Sequence, residues 1–478
     1  MALTTARGTL ALIELENASP DILFEMIPGA TVPLWPDVRS GFISALQGHD
    51  FGTAAVAAPE ERRWRTWFRL ARSLSPSRWD AVSFRRRRPI LFVVDGTTLH
   101  EVGGRARNWL VGDYAEEFSA SSAIAQWPSI DTPPPAFPMT RSLAPMVMRS
   151  AGLAKVKRVP VDERRIHQLV GEFAKRLDSR LTEEQAAAIA ASATYWASVG
   201  PHLTAQFNRM LDRLDPQLVL MEGASYGGRS ALVVSMKERR IHVAEPQHGW
   251  IGPSHGAYNF GKAMWSEALS ATLPDELLTF GEYWGEGLRH PASSVVIGKP
   301  HLESMVSQAL DWSDRPDEVL LVSSVAAPAE TSAFAIALRD ALPDGWTVRF
   351  RPHPSERATV TSRYDSMLSH SGIALDDNSD VYESLGTARG VVGVASTVLF
   401  EAVAMGCRVF VRDSPYTDYY VGDLFGPTVT GEDGIRRVVA DLVHGRSPAA
   451  EVDSGRMWAP SATANFRRWV DSRVGHID

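Results

Sequence analysis

Residues 391–411 constrain the fold more than any other stretch of this chain, because they encode a strand, a turn, a helix and a second strand in succession. A β-branched run opens the stretch and Gly393 closes it. Ser396 or Thr397 is suited to cap the following helix, since a short hydroxyl accepts a hydrogen bond from the free N–H groups of the first turn. Gly406 ends the helix pattern. The stretch therefore predicts a βαβ unit.

The predicted helix start is a candidate anion site. A helix that begins directly after a strand gathers unpaired N–H groups and a partial positive charge, which favour phosphate. Glu401 lies about one turn inside the helix, where its carboxylate is placed to accept hydrogen bonds from ribose hydroxyls. The local pattern alone leaves open a plain βαβ crossover with an ordinary N-cap.

A resemblance to a known family favours the functional interpretation. Ser-Thr-x-x-x-Glu-Ala-x-x-x-Gly before a strand, at residues 396–406, resembles the donor-nucleotide segment of B-type (GT-B) glycosyltransferases. It is most similar to the branch that builds bacterial surface polymers: CDP-glycerol glycerophosphotransferases, capsule polymerases, and bacterial sialyl- and Kdo-transferases. The resemblance implies an α/β protein with two Rossmann-like domains that face a cleft.

Composition excludes several other classes. The chain has 478 residues, 44% hydrophobic and 22% charged, which fits a globular protein of two domains. The net charge of −7, with both signs spread along the chain, does not support a nucleic-acid partner. The single cysteine, Cys407, permits no disulfide framework, and no signal peptide or membrane-length apolar run is evident. We therefore expect a cytoplasmic protein with, at most, peripheral contact at the inner face of the membrane.

The motif order predicts the domain organisation. Residues 1–262 are expected to form an acceptor-binding Rossmann-like domain, with a helical insert at about 146–214. Residues 263–461 are expected to form the domain that binds the nucleotide donor. A last helix over 462–474 is expected, which in B-type transferases often crosses back to the first domain.

Three segments of the first domain carry more specific expectations. Residues 8–15 have the pattern of a first strand, and the proline-rich residues 128–145 that of a surface loop. Residues 59–74 have the pattern of a basic, aromatic helix, and four consecutive arginines follow at 85–88. Residues 59–88 are a candidate peripheral surface for an anionic polymer, a lipid-linked acceptor or a membrane. The alternative is an amphipathic helix packed on the sheet with a solvated charged face.

Polar residues follow three predicted strands of the first domain. Asp95 ends the strand 89–95, Glu222 ends the strand 217–222, and His248 follows the strand 241–246 in Gln-His-Gly. The carboxyl ends of parallel strands meet at one edge of an open α/β sheet, where ligands bind. The resemblance implies that these three residues supply the catalytic base. The neighbouring acceptor-binding candidates are Tyr226, Arg229 and His255.

The second domain carries the donor-binding candidates. The strand 294–297 is expected to open its sheet, and Gly298-Lys299-Pro300-His301 resembles the Gly-x-Pro turn at the start of the family's donor domain. Ser323 lies at the end of the strand 319–325, and Arg351 and His353 follow the strand 346–350 in a His-Pro motif. The resemblance implies that Gly298, Lys299, Ser323, Arg351, His353, Ser396, Thr397 and Glu401 contact the donor.

Taken together, these features predict group transfer from a nucleotide-activated donor, linked to CMP, CDP, UDP or GDP, to a hydroxyl of a bacterial cell-surface glycan or lipid-linked glycan. No metal-ion motif of the Asp-x-Asp type lies in a suitable loop, and no cofactor besides the donor is expected. The resemblance implies inversion at the donor carbon. Two alternatives remain: a sugar-nucleotide 2-epimerase of the same fold, and a non-catalytic module that binds a nucleotide or glycan.

Overall fold

The computed structural model describes residues 7–51, 80–127, 133–177, 181–325, 327–357, 359–414, 417–445 and 453–475. The chain divides into two compact units. The N-terminal unit comprises Thr5–Thr279, Gly285–Ile297 and Thr463–Asp478, and the C-terminal unit comprises Phe280–Trp284 and Gly298–Ala462. Each unit is built on a parallel sheet, which confirms the predicted α/β class with two Rossmann-like domains.

The N-terminal unit contains a seven-stranded parallel sheet in the order β5-β4-β1-β6-β7-β8-β9. Its strands are β1 (Ile90–Val94), β4 (Ser122–Gln126), β5 (Thr140–Ser142), β6 (Leu218–Met221), β7 (His242–Pro246), β8 (Glu276–Thr279) and β9 (Ser293–Val296), and β2 (Leu99–Val102) and β3 (Arg105–Asn108) form a separate antiparallel pair. Its helices are Arg7–Ala18, Pro20–Leu23, Leu34–Phe51, Gly112–Glu117, Ala144–Val156, Glu163–Arg176, Glu183–Leu214, Ser230–Glu238, Glu267–Ser270 and Ala462–Val474.

The central strands of this sheet are apolar on both faces. Every residue of β1 and β6 is buried, as expected for parallel strands covered by helices on both sides. The long helix Glu183–Leu214 packs Phe207, Met210 and Leu214 into the core cluster on one face of the sheet. Burial of these side chains fixes the register of β1 and β6, and so fixes which residues lie at the strand ends.

Two helix starts in the N-terminal unit have side-chain caps. Asp162 caps the helix Glu163–Arg176 by accepting a hydrogen bond from the backbone N–H of Arg165 at 2.9 Å. Thr182 and Gln185 form a capping box at the start of Glu183–Leu214. The helical insert predicted at about 146–214 therefore contains these two helices, together with most of Ala144–Val156.

The C-terminal unit contains a five-stranded parallel sheet in the order β12-β11-β10-β13-β14. Its strands are β10 (Glu318–Val322), β11 (Thr347–Arg351), β12 (Ile373–Leu375), β13 (Gly390–Gly393) and β14 (Arg408–Val411). Its helices are Glu282–Gly285, Pro300–Val306, Pro328–Ala341, Val360–Arg363, Asp365–Leu368, Val381–Leu385, Thr397–Ala404, Thr417–Tyr420, Gly431–Val443 and Ser454–Met457. The strand–helix–strand unit predicted at 391–411 is confirmed as β13, Thr397–Ala404 and β14.

The predicted first strand is wrong. Residues 8–15 lie in the helix Arg7–Ala18, which buries Leu12, Ile13, Leu15 and Glu16. These positions are spaced i, i+1, i+3 and i+4, which is the stripe of a helix and not the alternation of a strand. A short apolar run fits both patterns, and the buried carboxylate of Glu16 is what separates them.

The strand predicted to open the second sheet belongs to the first. β9 pairs with β8 at the edge of the seven-stranded sheet. The chain then turns at Gly298, whose φ of +88° favours glycine. A strand pattern identifies a strand but carries no information on which sheet it joins, so its pairing with β8 was not predictable.

The described part of the proline-rich segment, residues 133–145, includes regular structure where a surface loop was predicted. Part of 128–145 forms the short edge strand β5, and the helix Ala144–Val156 begins inside it with Pro145 in its first turn. Proline is tolerated at that position because the first N–H groups of a helix have no partner within the helix.

The predicted basic helix 59–74 lies outside the described residues. In the arginine run at 85–88, Arg85, Arg86 and Arg87 are exposed, while Arg88 is buried and donates to the backbone carbonyl of Ser119 at 3.2 Å. Arg88 therefore has a structural role, and only the other three arginines contribute charge to the surface. Among the described helices, none combines the length and the apolar character that a membrane crossing requires.

Candidate functional sites

The sheet of the N-terminal unit brings three predicted site residues to one edge. β1, β6 and β7 are consecutive neighbours and run parallel. Asp95 directly follows β1, Glu222 directly follows β6, and His248 lies two residues beyond β7. The carboxyl ends of these strands therefore place two carboxylates and an imidazole beside one another.

Glu222 is a buried carboxyl at this edge with a raised pKa. It is 2% exposed, and its Oε2 accepts from the backbone N–H of Asp95 at 2.8 Å and from Thr98 Oγ1 at 3.3 Å. Burial, with the nearby charge of Asp95, raises its pKa to about 7, although these hydrogen bonds and the charge of Arg229 act in the opposite direction. Among the described residues no donor meets Oε1, so Glu222 has one oxygen free for proton transfer.

Asp95 forms an ion pair. Its Oδ1 accepts from Arg229 Nη2 at 2.6 Å, and Arg229 also donates to the backbone carbonyl of Glu222. The guanidinium lies 5.0 Å from the centroid of the Trp127 ring. The Asp95 side chain makes no capping hydrogen bond to the short turn that follows it, so the structure does not support a turn-capping role.

His248 has an unsatisfied nitrogen. Its Nδ1 is shielded from solvent and has no hydrogen-bond partner among the described residues. Its Nε2 lies 3.5 Å from the hydroxyl of Tyr226, which is a long contact. Loss of hydration lowers the pKa of His248 to about 4, although the charge of Asp95 acts in the opposite direction, so the ring is neutral at pH 7.

His255 contacts the same tyrosine. Its Nδ1 accepts from the backbone N–H of Ala257 at 3.2 Å, and its Nε2 lies 3.1 Å from the hydroxyl of Tyr226. The ring stacks on Trp250 with 5.5 Å between centroids. Burial, together with His248 and Arg39, lowers its pKa to about 3. Of the predicted acceptor-binding residues, Tyr226 and His255 therefore lie with His248, and Arg229 lies with Asp95.

A second buried network at this edge was not predicted. Glu245 in β7 accepts from the backbone N–H of Ser225 at 2.8 Å, from the Ser225 hydroxyl, and from the Tyr258 hydroxyl at 2.7 Å. Ser225 Oγ also lies 2.9 Å from His290 Nε2. Burial raises the pKa of Glu245 and lowers that of His290 to about 3. The available signal was a glutamate that follows two apolar residues of the strand, Val243 and Ala244, and this position marks a buried carboxyl that needs partners.

In the C-terminal unit, polar residues also follow three neighbouring strands. β11, β10 and β13 are adjacent and parallel, and they are followed by His353, Ser323 and Ser396. The strand order reverses between β10 and β13, which is where open α/β sheets bind ligands.

The helix start after β13 has the predicted cap. The Ser396 hydroxyl accepts from the backbone N–H of Val398 at 3.2 Å, and Thr397 is the first helical residue. Because the other N–H groups of this turn lie at the carboxyl edge of the sheet, the helix start is suited to an anion. Whether it holds a donor phosphate stays a prediction.

Glu401 is engaged by the protein itself. Its Oε1 accepts from Lys299 Nζ at 2.5 Å and from the Tyr382 hydroxyl at 2.8 Å, and all three side chains are buried. The ammonium of Lys299 also lies 5.0 Å from the Phe280 ring centroid and 5.7 Å from that of Trp458. Two of the predicted donor-binding residues therefore form an internal ion pair.

The preceding glycine is required by packing. A Cβ on Gly298 would lie 2.6 Å from the backbone carbonyl oxygen of Ala459. The backbone at Gly298 therefore approaches the segment around Ala459 closely, which only glycine permits. Lys299, the next residue in the predicted Gly-x-Pro turn, contacts Glu401.

The remaining donor-binding candidates divide into two groups. Ser323 donates to Glu356 at 2.5 Å, and the carboxylate of Glu356 also accepts from the backbone N–H of His353 at 3.2 Å. The imidazole of His353 is exposed. Arg351 pairs instead with Asp376 at 2.6 Å. These contacts join the ends of β10 and β11, and the predicted contacts with donor phosphate stay predictions.

Comparison with known proteins gives a likeness in fold only. No protein-family model matches the sequence, and no curated protein does. Solved structures similar to this chain include a UDP-GlcNAc 2-epimerase from Neisseria meningitidis bound to UDP-GlcNAc, with 11% identity, TM-score 0.42, and 74% of this chain and 91% of that chain covered. The UDP-GlcNAc 2-epimerase of Methanocaldococcus jannaschii has 10% identity, TM-score 0.44, and 80% and 98% coverage. A "glycotransferase of kitacinnamycin" has 12% identity, TM-score 0.41, and 82% and 96% coverage. Values this low do not assign a function.

Proposed function

We propose that the chain is a glycosyltransferase or polyol-phosphate transferase that moves a group from a nucleotide-activated donor to a hydroxyl of a bacterial surface glycan. The observation that carries this proposal is the strand-end cluster of the N-terminal unit, where the carboxyl of Glu222, with its pKa of about 7, lies at the same sheet edge as the unsatisfied Nδ1 of His248. A general base works best when its pKa is close to the working pH.

In this proposal Glu222 is the base. Its free Oε1 accepts the proton of the acceptor hydroxyl. The acceptor oxygen then forms a bond to the donor carbon in glycosyl transfer, or to the donor phosphorus in polyol-phosphate transfer. The bond from that atom to the nucleotide phosphate breaks, and the phosphate leaves with the electron pair. Asp95 is less suited to this role because its Oδ1 is engaged by Arg229.

The C-terminal unit is proposed to bind the donor. Backbone N–H groups at the start of Thr397–Ala404 would stabilise the negative charge that develops on the leaving phosphate. Ser396 orders that helix start through its cap. The Lys299–Glu401 pair is proposed to position the ribose side of the site, with both charges compensated before the donor arrives.

Nucleotide binding at this helix start is testable by thermal shift with CMP, CDP, UDP, UDP-sugars and GDP. A nucleotide present at 100 times its Kd stabilises the native state by about 2.7 kcal/mol, which raises Tm by about 5–10 °C in a unit of this size. We expect Thr397→Glu to abolish the shift, because a carboxylate at the helix start repels phosphate, and Thr397→Gln to retain it.

Glu401→Ala is a poor probe, since it leaves the Lys299 ammonium buried without a counter-charge. If none of the nucleotides shifts the wild type, donor binding is excluded and the proposal fails. Equal nucleotide-induced rises in Tm in Thr397→Glu and Thr397→Gln would show that the phosphate binds at a different place in the protein.

A sugar-nucleotide 2-epimerase is the second candidate. It is favoured by the same pair of groups, because a carboxyl with a pKa of about 7 is able both to take and to give a proton on a substrate that never leaves the nucleotide. We expect the purified chain to release free nucleotide from its donor only when a glycan acceptor is present. Conversion of the sugar nucleotide to an isomer without any acceptor, followed by NMR, would identify the epimerase instead.

A further inference from the structure

Two histidines of the N-terminal unit have their tautomers fixed by backbone amides. The Nδ1 of His255 accepts from the N–H of Ala257, and the Nδ1 of His290 accepts from the N–H of Ala292 at 2.9 Å. A backbone N–H is only a donor, so each Nδ1 is unprotonated. Because both rings are neutral at pH 7, each carries its proton on Nε2.

This assignment sets the direction of the hydrogen bonds at Tyr226. The Nε2–H of His255 donates to the phenol oxygen of Tyr226 across 3.1 Å. The phenol oxygen is thus an acceptor on that side. In its contact of 3.5 Å with the Nε2 of His248, we take the phenol as the donor and Nε2 as the acceptor. The same order occurs in the second network, where His290 Nε2–H donates to Ser225 and Ser225 donates to Glu245.

We propose that Tyr226 and His255 hold His248 in the Nδ1–H tautomer, so that His248 donates a hydrogen bond from Nδ1 to an oxygen of the bound substrate. The tautomer is inferred from the hydrogen bonds at Tyr226 and His255, and the substrate contact rests on the proposed function. A shielded N–H without a partner costs free energy in the unliganded protein, which a substrate hydroxyl, carbonyl or carboxylate oxygen relieves on binding.

Glu222 and His248 at the strand ends then have different roles. Glu222 takes the proton, and His248 orients the acceptor or stabilises charge on it, which is the reverse of a histidine base. Tyr226 and His255 then act through His248 and are positioning residues. Their contacts are expected to tighten when substrate fills the space beside Nδ1.

The tautomer is measurable without substrate. Long-range ¹H–¹⁵N correlation spectra of histidine-labelled protein at pH 7 distinguish Nδ1–H from Nε2–H rings, and the signal of His248 is assigned by its loss in His248→Asn. We expect Nδ1–H in the wild type and a change toward Nε2–H in Tyr226→Phe. His255→Asn is the second variant, because its Oδ1 keeps the hydrogen bond to Ala257 while the donor to Tyr226 is lost. An Nε2–H ring in the wild type, or a tautomer unchanged in both variants, overturns the proposal.

Activity tests the substrate contact separately. The side-chain amide of His248→Asn places a donor near the position of Nδ1 but cannot accept a proton. We expect His248→Ala to lose about 100-fold or more in kcat and His248→Asn to retain most of it. Equal loss in both variants, in a wild type with the Nδ1–H ring, contradicts the donor role. A wild type without turnover on any donor refutes the proposed function and the substrate contact that rests on it, while the tautomer result stands.

Discussion

Glu222→Gln is expected to remove most of the turnover and, at pH 8, to raise the free energy of unfolding by about 3 kcal/mol. Loss of a general base lowers kcat by about 10²–10⁴. Glutamine keeps an acceptor oxygen for the Asp95 N–H and for Thr98, so the hydrogen bonds that join the ends of β1 and β6 survive. Activity and stability are therefore expected to change in opposite directions.

The sign of the stability effect follows from the pKa of Glu222, which is about 7 in the folded protein against an ordinary value of 4.5 for a glutamate. Between these two values the native state keeps a proton that the unfolded chain has released, so the free energy of unfolding falls as the pH rises and is then constant above about pH 7. The glutamine variant lacks this loss. Its advantage over the wild type is expected to be small at pH 5 and complete at pH 8, measured by urea titration at both pH values.

The pH profile identifies the base. With Glu222 as base, kcat/KM rises with pH through about 7, whereas a His248 base would give a rise through about 4. Asp95→Asn is the matched control, because it also removes a carboxylate at this edge while leaving an acceptor for Arg229. Full activity in Glu222→Gln would show that this carboxyl serves the fold alone.

Local signals explain which parts of the structure the sequence predicted. The strand, cap, helix and glycine of 391–411 lie where expected, because an N-cap serine and a helix-ending glycine act within a few residues of their own position. Asp95, Glu222 and His248 lie at one edge because parallel strands share the direction of their ends.

The contacts that were missed join distant positions. The Lys299–Glu401 pair spans 102 residues and the Ser225–His290 contact 65 residues, and no local pattern encodes either. Glu401 matched the expected motif, yet its carboxylate is already engaged by Lys299. Similarly, the apolar run at residues 8–15 fits a strand as well as a helix. The contact that accounts for the buried Glu16 at its end is with a residue on another helix, which the local pattern does not show.

That partner is Arg39, and Arg39→Met is expected to cost about 3–5 kcal/mol in the free energy of unfolding. Arg39 Nε donates to Glu16 Oε1 at 2.7 Å, and both side chains are at most 2% exposed. Glu16 Oε2 also accepts from the N–H of Gly261 at 2.6 Å, while Arg39 donates to the carbonyls of Gly256 and Asn259 at 2.5 and 2.7 Å. Removal of the cation leaves a buried carboxylate unpaired and three backbone hydrogen bonds altered or lost.

The exposed pair Arg176–Asp21 provides the control. Its side chains are 38% and 66% exposed, so Arg176→Met is expected to leave the free energy of unfolding almost unchanged. The double variant Arg39→Met/Glu16→Gln is expected to lose less unfolding free energy than the sum of the losses in the two single variants. The reason is that the double variant has no buried carboxylate left without a counter-charge. Additive losses, measured in urea, would show that the pair contributes no coupling.

The position of this pair extends its effect to the candidate active site. Gly256 to Gly261 directly follow His255, and they carry Tyr258, the hydrogen-bond donor to Glu245. Arg39 and Glu16 hold both ends of this segment from the helices Leu34–Phe51 and Arg7–Ala18. Under conditions in which the Arg39→Met variant stays folded, we therefore still expect it to have a lower kcat than the wild type. We also expect its His248 ring to have lost the fixed tautomer. A folded variant with wild-type kcat and an unchanged His248 signal would show that the segment keeps its geometry without the pair.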